Sequence, residues 1–352
     1  MHIFPEGFFM LSSVGMWRPI SWTSRPRVIL YGVYNVFVLM SLYSLSTGQL
    51  IHLIMNIQNF EEVAKTTVIM LSIVNTVFKG TMLFFRRSSI IRLSERFLEH
   101  PMRPMNAEEE SIELKFNIFT RKIIIAFAIS IFIVAIALIL QSAFLIRDGI
   151  LITPCWYPYD NSKPKFLAIS WFHQAFSYIT GGFTTACCDT IFAGLLMKIC
   201  SQLEMLKLRF YESTTIRQYK NLDENHRKIR ERRHLVSCIN HHIHIFKYAR
   251  DLNQIFSPIL FGQFFIDIML ICVLIYSLSV TPPSMELIPN AMYLAVIFAQ
   301  VFFYCWFGNE VILSSSQEFR FIECNIFNGL GNVNYKRSKR FVIYHIKDEN
   351  SN

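Results

Sequence analysis

Apolar residues along this chain fall in long blocks, each of a length that can cross a lipid bilayer. About 20 mostly apolar residues span the hydrocarbon core of a membrane as a helix. Three blocks carry no charged residue, and they cover residues 28–54, 123–146 and 287–309. Three others carry one charged residue each, and they cover residues 66–85, 166–197 and 252–280. The pattern predicts six transmembrane helices.

The charged residues inside these blocks are Lys79, Asp189 and Asp267. Lys79 lies near one end of its block, so we expect its ammonium group to reach the lipid headgroups. A buried carboxylate in a membrane is costly unless it is paired or functional. We therefore expect Asp267 to pair with a neighbouring helix, to face a water-filled cleft or to act directly in function.

The distribution of Lys and Arg predicts the orientation of the helices. The segment before the first span and the segments 86–122 and 198–251 hold 23 Lys and Arg residues together, whereas the alternate segments 55–65, 147–165 and 281–286 hold four. Basic residues gather on cytoplasmic loops. The N-terminus is therefore predicted to be cytoplasmic, and with six spans the C-terminus is predicted to be cytoplasmic as well.

Composition excludes several classes of protein. Of the 352 residues, 53% are apolar and only 17% are charged, against about 25% charged in a soluble domain. A soluble enzyme, a disordered chain and a fibrous protein are excluded. The net charge of +9 is explained by the cytoplasmic loops, so the expected partner is the lipid bilayer and not nucleic acid.

No motif in the chain indicates an enzyme or a cofactor. It has no phosphate-binding Walker loop, no GxGxxG turn, no HExxH and no nucleophile elbow. A group of histidines at helical spacing invites a metal hypothesis, but Arg and Lys residues surround it and repel cations. We expect no catalytic residue, no metal and no cofactor.

The segment 1–27 is predicted to contain a short amphipathic helix that lies on the inner leaflet. The apolar residues of this helix are Phe8, Phe9, Leu11, Val14 and Trp17.

Three sequence motifs resemble the insect odorant receptor family. Val14-Gly-Met-Trp-Arg-Pro19 precedes the first span, and Phe256-Ser-Pro-Ile-Leu-Phe-Gly-Gln263 follows a long basic loop. Tyr304-Cys-Trp-Phe-Gly-Asn-Glu310 closes the sixth span and is the most specific of the three. The resemblance covers roughly residues 8–318. The short segment between the fourth and fifth spans resembles the odorant-tuning subunits and not the shared co-receptor.

The resemblance implies an all-α polytopic membrane fold with a cytoplasmic N-terminus and seven helices. Members of the family bind small volatile odorants, assemble as hetero-tetramers with a co-receptor and open a cation channel in the plasma membrane of olfactory neuron dendrites. The seventh helix lines the pore in such channels. Residues 310–352 depart from the pattern, because no apolar stretch of span length follows Glu318. We therefore expect a divergent or truncated tail without a seventh span, and a chain that does not conduct normally.

The resemblance also implies an odorant pocket among the outer halves of the spans. A pocket for a small apolar ligand is mostly hydrophobic and contains a few polar groups that orient the ligand. The topology predicts these lining residues: Ile69, Ser72, Ile73, Thr76, Leu138, Gln141, Phe144, Trp171, Phe172, Phe176, Tyr276, Met292, Tyr293 and Val296.

Other classes of membrane protein remain as alternatives. A gustatory receptor of the same superfamily shares the fold and the orientation. A G-protein-coupled receptor would need an extracellular N-terminus, and no DRY-like or NPxxY-like motif stands at a helix end. A secondary transporter is disfavoured because the two halves of the chain show no internal repeat.

Overall fold

The computed structural model describes residues 5–19, 21–58, 60–146, 149–216, 224–280 and 287–329. These residues form seven α-helices, one short 3-10 helix and no strand. The α-helices are α1 Pro5–Ser13, α2 Arg25–Met55, α3 Phe60–Glu95, α4 Ala107–Leu145, α5 Pro164–Ile216, α6 Glu224–Val280 and α7 Leu287–Gly329, and the 3-10 helix is Arg96–Leu98.

The six predicted spans coincide with helices α2 to α7, in order along the chain. Helices α2, α3, α5, α6 and α7 are long and apolar enough to cross a membrane. The apolar part of α4 includes residues whose side chains lie outside the described set. Helices α5 and α6 also extend well into the basic segment 198–251, which is therefore largely helical. The orientation of the spans stays a prediction.

The chain divides into two compact units. The first comprises Met1–Arg96, Asn117–Leu195 and Arg250–Phe307, and the second comprises Phe97–Phe116, Leu196–Ala249 and Gly308–Asn352. Helix α5 is the most enclosed of the helices that could cross a membrane. Within an apolar stretch of 18 residues, 89% of the residues of α5 are buried, whereas the corresponding share of α7 is 17%. The described part of the first unit is therefore built around α5.

Gly181 of α5 allows close packing of its neighbours within the first unit. A Cβ atom at this position would lie 3.1 Å from Thr76 Cγ2 of α3 and 3.3 Å from Leu42 Cδ2 of α2. Small residues permit such approaches between membrane helices.

Helix α1 packs into the first unit. The side chains of Phe8, Leu11, Val14 and Trp17 are buried, while Phe9 is exposed. The backbone N–H of Trp17 donates to Tyr31 Oη of α2 at 3.1 Å. Four of the five residues predicted to form an apolar face are therefore buried within the protein, and only Phe9 is exposed. The location of the segment at the inner leaflet stays a prediction.

A network around Arg209 organises the second unit. The Arg209 guanidinium binds Glu109 through Nε–Oε1 and Nη2–Oε2 contacts, both 2.7 Å long. Its Nη1 donates to the Pro101 carbonyl at 2.8 Å and to His241 Nδ1 at 3.0 Å. Since Nδ1 accepts, His241 Nε2 carries the proton and donates to Gln202 Oε1 at 2.8 Å. His241 belongs to the histidine group at helical spacing, which comprises His234, His241, His242 and His244. Hydrogen bonds within the protein hold its ring in place.

Candidate ligand-binding site

An apolar cluster in the first unit joins helices α3, α6 and α7. Its buried members are Val68, Leu270, Leu274 and Ile297. Partly buried residues pack against them: Leu71 of α3, Ile266, Ile271 and Val273 of α6, and Tyr293 and Leu294 of α7. Such a cluster provides the dispersion contacts that a small apolar ligand requires.

Ser72 and Tyr293 place a polar contact at the edge of this cluster. Ser72 Oγ donates to the Val68 carbonyl of its own helix at 2.8 Å. Because a hydroxyl has one proton, Tyr293 Oη is the donor in its contact with Ser72 Oγ. Helices α3 and α7 are therefore joined by a hydroxyl pair beside apolar side chains, and both of these residues belong to the predicted set.

The other predicted residues of α3 have different surroundings. Ile73 is buried, and Ile69 is half-buried. Thr76 Oγ1 donates to the Ser72 carbonyl at 3.0 Å and lies 3.1 Å from Thr185 Oγ1 of α5. The structure therefore brings Thr76 to the contact between α3 and α5.

The predicted aromatic residues of α5 lie outside the apolar cluster, and one of them, Phe176, packs against α2. The ring of Phe176 is half-buried and packs 5.5 Å from the ring of Phe37. Trp171 is half-buried and stands edge-on to Phe172 with a centroid distance of 5.2 Å. Phe172 itself is 68% exposed. None of these three residues belongs to the apolar cluster of α3, α6 and α7.

Several predicted residues face away from the interior of the first unit. Met292 is 61% exposed, Val296 45% and Tyr276 40%. The side chains of three more lie outside the described residues, namely Leu138, Gln141 and Phe144. Among the predicted residues whose side chains are described, the structure brings Ser72 and Tyr293 into contact and gives the others different surroundings. The ligand-binding role of the whole set stays a prediction.

The segment before α5 is fixed to α2 and α5 by buried hydrogen bonds. Thr153 N–H donates to Gln174 Oε1, and Gln174 Nε2 donates to the Thr153 carbonyl, both at 3.1 Å. The Trp156 N–H donates to the Gly48 carbonyl of α2 at 3.0 Å. Cys155 is buried here, and a Cβ atom at Gly48 would lie 2.6 Å from its Sγ. Only glycine allows this approach of the segment to α2.

Burial also changes the chemistry of Cys155. It raises the pKa of the thiol to about 11, with a smaller opposing contribution from the hydrogen bond to Tyr157. The thiol therefore remains protonated near neutral pH and has little nucleophilic character.

A buried ion pair lies on the same face of α3, two turns after Ser72. Lys79 Nζ donates to Asp189 Oδ1 of α5 at 2.6 Å, and both side chains are 0% exposed. Two residues of α7 also donate to this carboxylate, Gln300 Nε2 to Oδ2 at 2.6 Å and Tyr304 Oη to Oδ1. The expectation that Lys79 reaches the headgroups is therefore wrong. A cation in a low-dielectric interior is more stable beside a carboxylate that other donors also support.

Asn75, Gln263 and Asp267 form a second polar chain between α3 and α6. Asn75 Nδ2 donates to Gln263 Oε1 at 2.7 Å. Gln263 Nε2 lies 2.7 Å from each carboxylate oxygen of Asp267. Asp267 is thus linked to α3 indirectly, because it accepts from Gln263 of its own helix and Gln263 accepts from Asn75 of α3.

Sequence reasoning did not identify Asn75, Gln263, Gln300 or the pairing of Lys79 with Asp189. A signal for the pairing was available, because the second and fourth spans each carry one charge and the two charges have opposite sign. The three amides carry no such signal. Among the described residues, no group of three or more His, Cys, Asp or Glu side chains could hold a metal ion.

Comparison with known sequences gives consistent matches. Residues 59–318 match the sequence profile of the 7tm Odorant receptor family. Odorant receptor Or1 of Anopheles gambiae is 22% identical over 337 residues, which cover 89% of this chain and 79% of that protein. Odorant receptor 47a of Drosophila melanogaster is 23% identical over 302 residues, which cover 81% of this chain and 74% of that protein.

Comparison with solved structures gives the same fold. The insect olfactory receptor OR5 from Machilis hrabei matches with a TM-score of 0.76 and 16% identity, over 98% of this chain and 87% of that chain. The same receptor in complex with eugenol matches with a TM-score of 0.69 and 16% identity, over 91% and 86% of the two chains. The predicted all-α membrane fold is confirmed.

Proposed function

The chain belongs to the 7tm Odorant receptor family, and on that premise we propose that it binds small volatile odorants within its transmembrane helices. Proteins of this family are receptors and not enzymes, in agreement with the absence of catalytic motifs from the sequence. The observation that carries the proposal is the apolar cluster of α3, α6 and α7, beside which Tyr293 donates to Ser72. An apolar site with one or two polar groups is suited to a small, weakly polar ligand.

The proposal extends to signalling. The chain acts as an odorant-tuning subunit that assembles with a co-receptor as a hetero-tetramer. Odorant binding then opens a non-selective cation conductance in the plasma membrane of an olfactory neuron dendrite. The family resemblance supports these steps.

Co-expression in a heterologous cell tests this function. The chain would be expressed alone, with a co-receptor, and with a co-receptor after grafting a seventh helix, and cation current would be recorded against an odorant panel that includes eugenol. Odorant-dependent current with the co-receptor supports the full proposal. Current only after grafting supports odorant binding and indicates a non-conducting subunit. Absence of odorant-dependent current in every combination, with the protein at the cell surface, contradicts the proposal.

Tyr293→Phe tests the assignment of the ligand site. The substitution removes the proton that Tyr293 donates to Ser72, so we expect the odorant concentration for half-maximal response to change about three- to tenfold. Tyr43→Phe is the matched control, because Tyr43 is an exposed tyrosine of α2 that also contacts a hydroxyl, Thr81 Oγ1 at 2.9 Å. Trp171→Ala tests the α5 side of the predicted pocket. Equal responses of Tyr293→Phe and Tyr43→Phe to every odorant would remove Tyr293 from the site.

A further inference from the structure

Asn75 presents an unused hydrogen-bond acceptor in the interior of the first unit. Its side chain is 6% exposed, and its Oδ1 atom has no hydrogen-bond partner among the described residues. Buried polar atoms are almost always hydrogen-bonded, because an unpaired acceptor loses its interaction with water. Because no donor among the described residues reaches this atom, it is available to accept a hydrogen bond from a ligand.

The acceptor adjoins the apolar cluster. Asn75 follows Val68 and Leu71 at seven and four residues along α3, so the three share one helical face. On α6, Asp267 precedes Leu270 and Ile271 by three and four residues, which again is one face. The chain of Asn75, Gln263 and Asp267 thus continues the apolar cluster by one helical turn on both helices.

Asp267 fixes the direction in which the Asn75 amide points. Both carboxylate oxygens of Asp267 accept from Gln263 Nε2, so the Nε2 group must face Asp267 and Gln263 Oε1 must face Asn75. Gln263 Oε1 can only accept, so Asn75 turns Nδ2 toward it and leaves Oδ1 outward. The two amides thus form a relay: because the Asp267 carboxylate only accepts hydrogen bonds, the Asn75 side chain is oriented with its acceptor, Oδ1, unpaired.

We propose that Asn75 Oδ1 is the polar recognition point of the odorant site and that it selects ligands with a hydroxyl donor, such as alcohols and phenols, over ethers of the same skeleton. This inference rests on the proposed odorant-binding function. Asp267 is a positioning residue, since it acts on the ligand through the two amides.

Matched pairs of ligands test the proposal. The full chain would be placed in lipid nanodiscs, and binding would be followed by tryptophan fluorescence for eugenol and its methyl ether and for 1-octanol and 1-methoxyoctane. We expect the hydroxyl member of a pair to bind about three- to tenfold more tightly than the ether, the effect of one buried hydrogen bond. We expect Asn75→Leu to abolish this preference while ether binding remains.

Asp267→Asn provides a second variant that nearly preserves side-chain volume. An asparagine can present either an oxygen or an NH2 group to Gln263, so both amides can reverse and Asn75 can offer Nδ2 as a donor. We expect the preference for alcohols to shrink and ethers to gain affinity. Asn253→Leu is the matched control for Asn75→Leu, because Asn253 is exposed on α6.

The outcomes separate this inference from the proposed function. If alcohols and ethers bind with equal affinity to the unmodified chain, or if Asp267→Asn and Asn75→Leu both keep the original preference, the relay is refuted while odorant binding stands. If no member of either pair binds, and no odorant of a wider panel binds, the proposed function fails and the inference fails with it.

Discussion

Removing the Lys79 ammonium group by Lys79→Met is expected to destabilise the first unit strongly. The substitution leaves the Asp189 carboxylate, 0% exposed, with only the neutral donors Gln300 and Tyr304 among the described residues. Removing one partner of a buried ion pair costs about 3–5 kcal/mol, mainly because the other charge remains buried without compensation. Since each 1.4 kcal/mol is a factor of ten, the population of opened protein should rise about 100- to 4000-fold.

Thiol labelling measures this change directly. Cys187 and Cys188 are buried beside Asp189 in α5, so a thiol-reactive dye can modify them only when the helix bundle opens. The labelling rate of Cys187, measured by mass spectrometry of the protein in detergent, should rise by the factor given above. Lys207→Met is the matched control, because Lys207 pairs with Glu204, whose side chain is 47% exposed. Exposed pairs contribute about 1 kcal/mol or less.

The double variant Lys79→Met/Asp189→Asn distinguishes the ion pair from general packing. It removes both charges, so its cost should be smaller than the sum of the two single substitutions by at least about 1 kcal/mol. Additive costs, or a labelling rate for Lys79→Met equal to that of Lys207→Met, would refute the reasoning.

Arg209→Lys keeps the positive charge but cannot bind Glu109 through two nitrogens, so we expect the free energy of unfolding to fall by about 3 kcal/mol. A lower unfolding temperature in a thermal ramp would show this loss, and an unchanged transition would contradict it. Because burial raises the pKa of Cys155 to about 11, its alkylation at neutral pH should be about 100-fold slower in the folded chain than in urea. The folded state favours the protonated thiol, so this stabilisation is present below the ordinary thiol pKa and is lost as pH rises through about 11. An epitope tag at the N-terminus should be stained only after the cells are permeabilised, and staining of intact cells would overturn the predicted orientation.

The sequence was most informative about the positions of the spans and about single polar residues within them. The block 66–85 predicts α3, and the residues predicted for the site include Ser72 and Tyr293, whose side chains are in contact. It was less informative about Phe172 and Met292, which the structure leaves exposed. Membrane helices that are apolar all round carry no periodic signal of the face they turn inward.

The sequence by itself determined the class of protein, its all-α membrane fold and the family, because these depend on block length, composition and local motifs. The tertiary structure decided which polar groups meet. Lys79 and Asp189 are 110 residues apart, and Asn75 and Gln263 are 188 apart. Their pairing depends on the rotation of each helix about its axis and on the packing of its neighbours, and side-chain packing across helices sets that rotation.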